Sequence, residues 1–199
     1  MSLEKFNTLQ SRVVPLPIEN IDTDQIIPAR FLKAVERKGF GNHLFKDWRF
    51  ESSGKEKSDF PLNNPKYQGQ ILVAGQNFGC GSSREHAAWT IADYGFKVVV
   101  SSYFADIFKN NVLNNGLLPI QLEEAELQQI FKLIDANPEL EFLVDLEEQK
   151  LSIPSEALSY SFEINAYKKQ CLLNGYDDFD YLQSILPEVN DFEQTVLKT

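Results

Sequence analysis

Residues 77–87, NFGCGSSREHA, bring two glycines, two serines, an arginine, a glutamate and a histidine into one short stretch. Gly79 and Gly81 flank Cys80 directly after an apolar run, so the backbone can turn sharply there and approach a ligand with no Cβ in the way. A helix starting near Ser82 or Ser83 would point free N–H groups and a partial positive charge outward. Arg84 in its first turn adds a planar fork matched to a carboxylate. This set suits a carboxylate-bearing ligand better than a bare phosphate. A purely structural alternative exists, because SSRE matches the S-x-x-E capping box, with Ser82 bonding the N–H three residues on and Glu85 reaching back. A cap uses one serine and one glutamate, and leaves both glycines, Ser83, Arg84 and His86 without a reason.

Other motifs do not account for the stretch. A phosphate-binding Walker loop needs GxxxxGK, and NFGCGSSR has no lysine. The dinucleotide fingerprint wants a third small residue where Arg84 stands, and neither serine lies in G-x-S-x-G. The chain has two histidines, His43 and His86. His86, one helical turn past Ser82, is expected to pack or orient a neighbour rather than serve as a base.

The elements that must position these residues alternate. QGQILVAG (68–75) reads as a buried strand, QNFGCGS as the turn, and SREHAAWTIADYG as a helix closed by Gly95. FKVVVSS, SYFADIFKNNVLNNG, LLPIQL and EEAELQQIFKLIDANP then give strand, helix, strand, helix, which implies parallel pairing with both faces covered. The fold class is α/β. Toward the ends, RVVPLP and QIIP surround a polar IENIDTD loop, and LEFLVDLEEQKLSIP and YSFEI read as short antiparallel strands. This predicts a β layer built from both ends and packed on the α/β centre. Residues 36–68 read as a long excursion, in which Phe45, Trp48 and Phe50 argue against full disorder. One domain is expected over residues 1–199, with a tail from about 177.

Composition narrows the function. The 199 residues are 43% hydrophobic, enough for a real core, and the net charge of −10 repels a phosphate backbone and an anionic membrane. No nucleic-acid or membrane partner is expected. No apolar run approaches the ~20 residues of a membrane span. The first residues lack a signal-peptide pattern, so a cytoplasmic location is expected. Cys80 and Cys171 lie far apart with no CxxC pairing, and both are expected to be free.

NFGCGSSREHA, with NIDTDQIIPARFL upstream and SYFADIFKNNVLNNGLLPIQL downstream, resembles the small-subunit family of bacterial 3-isopropylmalate dehydratase, in the aconitase superfamily. The resemblance runs from about residue 7 to the CLLNGYDDFDYL stretch. It implies a swivelling β/β/α fold like the C-terminal domain of aconitase, and hydro-lyase activity that isomerises 2-isopropylmalate and 3-isopropylmalate in leucine biosynthesis. By the same resemblance Ser82 falls on the catalytic base, and Ser83 and Arg84 on positions that hold the substrate carboxylate. The resemblance places Asp22 and Asp24 in a block beside the site, and they are expected to support it together with Gly79, Gly81 and His86; an Asx-turn also explains the two aspartates. Phe31, Leu32 and Val35 fall in the region that selects the substrate side chain, and are equally a helix's core face. The superfamily's [4Fe-4S] cluster needs three cysteine ligands, and this chain has two. The cluster is therefore expected in a separate large subunit, with none bound by this chain alone. Two alternatives remain: the small subunit of a related hydro-lyase, of homoaconitase or citraconate hydratase type, and a stand-alone carboxylate-binding module.

Overall fold

The computed structural model describes residues 3–32 and 39–196. Seven strands, β1 (Thr8–Leu16), β2 (Ile71–Ala74), β3 (Val98–Ser101), β4 (Leu118–Gln121), β5 (Glu141–Asp145), β6 (Lys150–Ile153) and β7 (Leu158–Ser161), form a sheet in the order β4-β3-β2-β1-β5-β6-β7. The expected separate β layer is instead continuous with the α/β centre, through β1. Residues Thr8 to Arg12 pair antiparallel with β5, while Val13 to Leu16 pair parallel with β2. Pro15 is tolerated in this central strand because the β5 pairing has ended by then, leaving that half with a single neighbour.

Helices α1 (Thr23–Ile26), α2 (Lys46–Arg49), α3 (Glu85–Tyr94), α4 (Asp106–Asn114), α5 (Glu124–Ala136), α6 (Ala166–Asn174), α7 (Asp178–Ser184) and α8 (Leu186–Val196) complete the described elements, with short 3-10 turns between them. QIIP, read as an apolar piece beside the polar loop, is the end of α1 and its exit. Pleating sends alternate residues of the central strands to opposite faces. Val13, Ile71, Val73, Val98 and Val100 join α5 and the antiparallel strands in one core. Val14, Leu72, Ala74 and Val99 join α3, α4 and the aromatics of the 40–60 segment in the other. Both faces are covered, which is why β2 and β3 read as unbroken apolar runs. In the 36–68 excursion Phe45 is fully buried and Trp48 and Phe50 are half-buried. Among the described residues no helix is long and apolar enough to cross a membrane.

Candidate active site

The adjacent parallel strands β1, β2 and β3 end at one edge of the sheet, so the loops that follow them converge, as open α/β sheets commonly use for ligand binding. The loop after β1 ends at Asp22, which caps α1 and its first residues Thr23 and Asp24; the loop after β2 carries residues 75–84, and the loop after β3 runs through Tyr103 into α4.

Backbone pairing locks the first two loops together. The N–H groups of Gly79 and Cys80 donate to the Ile21 carbonyl at 2.8 and 3.1 Å, and the Thr23 N–H donates to the Cys80 carbonyl at 3.0 Å. Buried Thr23 adds its hydroxyl, which donates to the Ser82 carbonyl at 2.9 Å. The two glycines do what their spacing predicts: Gly79 and Gly81 hold φ of +77° and +85°. A Cβ on Gly79 would enter the Phe108 ring, and one on Gly81 would enter the Asp22 carboxylate. Beneath the turn the Phe78 ring meets those of Phe104 and Phe108 edge to face, with centroids 6.5 and 5.3 Å away respectively. Ser101 Oγ, fully buried, lies 2.7 Å from the Gly75 carbonyl and 3.0 Å from that of Tyr103, tying the loop after β3 to the end of β2.

The predicted start of α3 is corrected. The helix begins at Glu85, with Arg84 as an N-cap in extended conformation that makes no side-chain cap bond. No capping box forms at residues 82–85. Ser82 and Ser83 lie in the preceding turn, exposed, and neither hydroxyl bonds another described residue. The capping geometry occurs instead at α1, where Asp22 accepts from the Asp24 N–H at 2.7 Å and Gln25 Oε1 accepts from the Asp22 N–H at 2.8 Å. Asp24, half exposed, pairs with Arg84.

Ser82, Ser83 and Arg84 line a cleft of about 310 Å³ with Asn77, Gly79, Gly81, Tyr103 and the first turn of α4. That turn was missing from the sequence-based site. Its signal was a second parallel strand ending beside the first and running straight into a helix. Helix geometry leaves the leading N–H groups of α4 without intrahelical acceptors, and its N-cap, Ala105, offers no side-chain oxygen. The cleft therefore combines two free hydroxyls, one guanidinium and a helix start with the Asp106 carboxylate in that same turn; its donors can bind a carboxylate and stabilise negative charge on an oxygen.

Three predicted residues stand elsewhere. His86 packs its ring on Trp89 (4.5 Å) and Phe40 (5.7 Å), which makes it a brace between α3 and the 3-10 turn at 40–43. Phe31 and Leu32 are half-buried against the core on that face, outside the lining of the cleft; Phe31 stacks on His43 at 3.9 Å. Val35 lies outside the described residues.

The donor set does not fit a [4Fe-4S] cluster. Cys80 and Cys171 are two thiols where three are needed. Burial pushes both thiols up, and the Asp22 carboxylate adds to the shift at Cys80, so each is held in the protonated form in the folded chain. Among the described residues no group of three His, Cys, Asp or Glu side chains is placed to hold a metal ion.

Comparison with known proteins agrees with this architecture. The family described as aconitase C-terminal domain matches residues 3–125, and a second, described as LeuD_N, matches residues 128–166. The chain is 61% identical over 193 residues to the 3-isopropylmalate dehydratase small subunit of Cytophaga hutchinsonii, covering 97% of this chain and 96% of that one. It is 59% identical to the protein of the same name from Christiangramia forsetii, covering 96% and 94%. Among solved structures it is similar to the 3-isopropylmalate dehydratase (leuD) of Methanocaldococcus jannaschii, with a TM-score of 0.65, 26% identity, and coverage of 94% of this chain and 99% of that one.

Proposed function

The chain belongs to the 3-isopropylmalate dehydratase small-subunit family of the aconitase superfamily, and from that premise we propose that it works as the small subunit of a hydro-lyase of leucine biosynthesis in the cytoplasm. Its substrate is 2-isopropylmalate, interconverted with 3-isopropylmalate by dehydration and rehydration. The observation that carries this reading is the cleft in which Ser82, Ser83 and Arg84 meet the first turn of α4.

Each residue has a task that its surroundings support. Ser82 Oγ is the base: it takes the proton from the carbon next to a substrate carboxylate, and the electrons of that C–H bond form the double bond as the hydroxyl leaves the neighbouring carbon. The proton then returns to the other carbon on rehydration. A serine oxygen is a weak base unless its anion is stabilised; in this reading the leading N–H groups of α4 and Arg84 stabilise it, against the carboxylates of Asp106 in that turn and of Asp24 on the guanidinium. The Thr23 bond to the Ser82 carbonyl fixes the backbone without consuming the hydroxyl. Ser83 and Arg84 grip the carboxylate; the guanidinium has five N–H donors and can hold a ligand while keeping Asp24. The iron–sulfur cluster, a Lewis acid when present, is assigned to the large subunit because this chain lacks its ligands.

The test is turnover of 2-isopropylmalate under anaerobic conditions by this chain mixed with a cluster-loaded large subunit, against each alone. Activity is expected only in the mixture. Ser82→Ala should lower kcat by about 10²-fold or more, with assembly and thermal unfolding unchanged. Near-normal turnover in Ser82→Ala would remove Ser82 as the base.

A further inference from the structure

Beyond the cleft, the least explained feature of the molecule is its last described helical stretch. Phe179, Leu182, Leu186, Val189 and Phe192 follow one another at three- or four-residue spacing, which places them in one stripe along α7 and α8. They are 42–69% exposed. Every residue of α8 is exposed. An 11-residue helix with no face against a core is marginal in water. Its amphipathic pattern is that of a helix stabilised by a surface outside this chain.

We infer that this stripe docks into an apolar groove with a basic rim on the large subunit, an inference that rests on the small-subunit reading above. Two observations choose that occupant. First, the stripe is presented in a fixed direction rather than trailing. Asp177 caps α7, Lys168 Nζ pairs with Asp178 at 2.6 Å, and the ring of Tyr181 meets that of Tyr167 at 4.4 Å. Ile185 keeps helical dihedrals between the two helices, so the stripe passes from one to the next. Second, the polar remainder is all of one sign. Asp177, Asp178, Asp180, Glu188, Asp191 and Glu193 fall between Gln170 and Val196, where there is no lysine or arginine. A second copy of a chain with net charge −10 would meet it with like charge, as would an anionic lipid surface. A basic-rimmed partner gains on both counts.

The test titrates the full-length chain into cluster-loaded large subunit and reads the concentration that gives half-maximal turnover. Leu186→Glu with Phe192→Glu should raise that concentration about tenfold or more, with kcat at saturation and thermal unfolding unchanged. Glu188→Lys with Glu193→Lys leaves the apolar stripe intact; it should also raise the concentration, with the difference from the native chain shrinking as salt is added. If the native chain supports turnover and the apolar variant saturates at the same concentration, the docking inference fails and the functional reading stands. If the native chain neither binds nor activates an intact large subunit, both fail. Sedimentation of the chain alone supplies a further outcome: a native dimer that the apolar variant turns into a monomer would make the occupant a second copy and overturn the assignment to the large subunit.

Discussion

Arg84 and Asp24 stand 60 positions apart in the chain and meet as an ion pair at the cleft that Arg84 lines. The pair sets the guanidinium in place before any ligand arrives, and its half-exposed setting makes it a holding contact more than a source of stability. Lysine would keep the charge but offers a compact point donor that cannot grip Asp24 and a substrate carboxylate with one planar fork. In the reconstituted enzyme, Arg84→Lys should raise KM about tenfold or more and lower kcat less. Steady-state kinetics decide it; an unchanged KM would confine Arg84 to its bond with Asp24. Gly79 makes the complementary case, where the residue type is set by space. Alanine there would take a left-handed φ of +77° and drive its methyl into Phe108, under the cleft. Gly79→Ala should cost about 1–3 kcal/mol of stability from overpacking and strain together, measured by denaturant unfolding. These glycines were legible from sequence because a G-x-G after an apolar strand has few other uses. The partner of Arg84 was not, since Asp24 reaches it only through the pairing of the loops after β1 and β2.

At the scale of elements, the start of α3 shows how tertiary contacts override a local signature. SSRE carries the sequence of a capping box, yet Gly81 is turned left-handed against the Asp22 carboxylate and the Ser82 carbonyl is taken by Thr23, so the helix waits until Glu85. None of those partners lies within the local window that a capping rule reads. The 3-10 turn at 40–43 is a second case, because its role comes from packing on α3 and not from its own composition. His43 there stacks on Phe31, and its Nδ1 is buried with no hydrogen-bond partner among the described residues. Burial, with Lys46 and Arg30 nearby, holds its pKa below the usual 6.5. The folded protein thus resists protonation that the unfolded chain accepts, so this contribution is intact above about pH 6.5 and is lost as pH falls below it. The native midpoint of thermal unfolding should drop between about pH 7.5 and 5.5, and His43→Phe, which keeps the stacking, should show a smaller drop. Equal drops would locate the acid sensitivity elsewhere.

For the whole molecule, β1 decides whether there are one or two cooperative units. The alternation of strands and helices made the parallel half of the sheet legible, because each strand is followed by the helix that covers it. The junction was not legible: Thr8 to Arg12 pair with residues Glu141 to Asp145, and nothing in a nonlocal register of that kind is written in the local pattern. Yet this register joins what the sequence suggested as two layers. Val13 and Val14, adjacent in one strand, belong to different cores, as do Leu72 and Val73. Losing one core should therefore unseat strands that the other needs. Trp48 and Trp89 both lie on the side of α3 and the 40–60 segment, whereas Ile130 is fully buried in the opposite core. Ile130→Ala should lower stability by about 2–5 kcal/mol. If the sheet couples its two faces, tryptophan fluorescence will report the same lowered midpoint as far-ultraviolet circular dichroism, although the substitution touches neither indole. A fluorescence midpoint that stays at the native value while the dichroism midpoint falls would mean that the two faces unfold separately, with β1 a hinge between them rather than their shared strand.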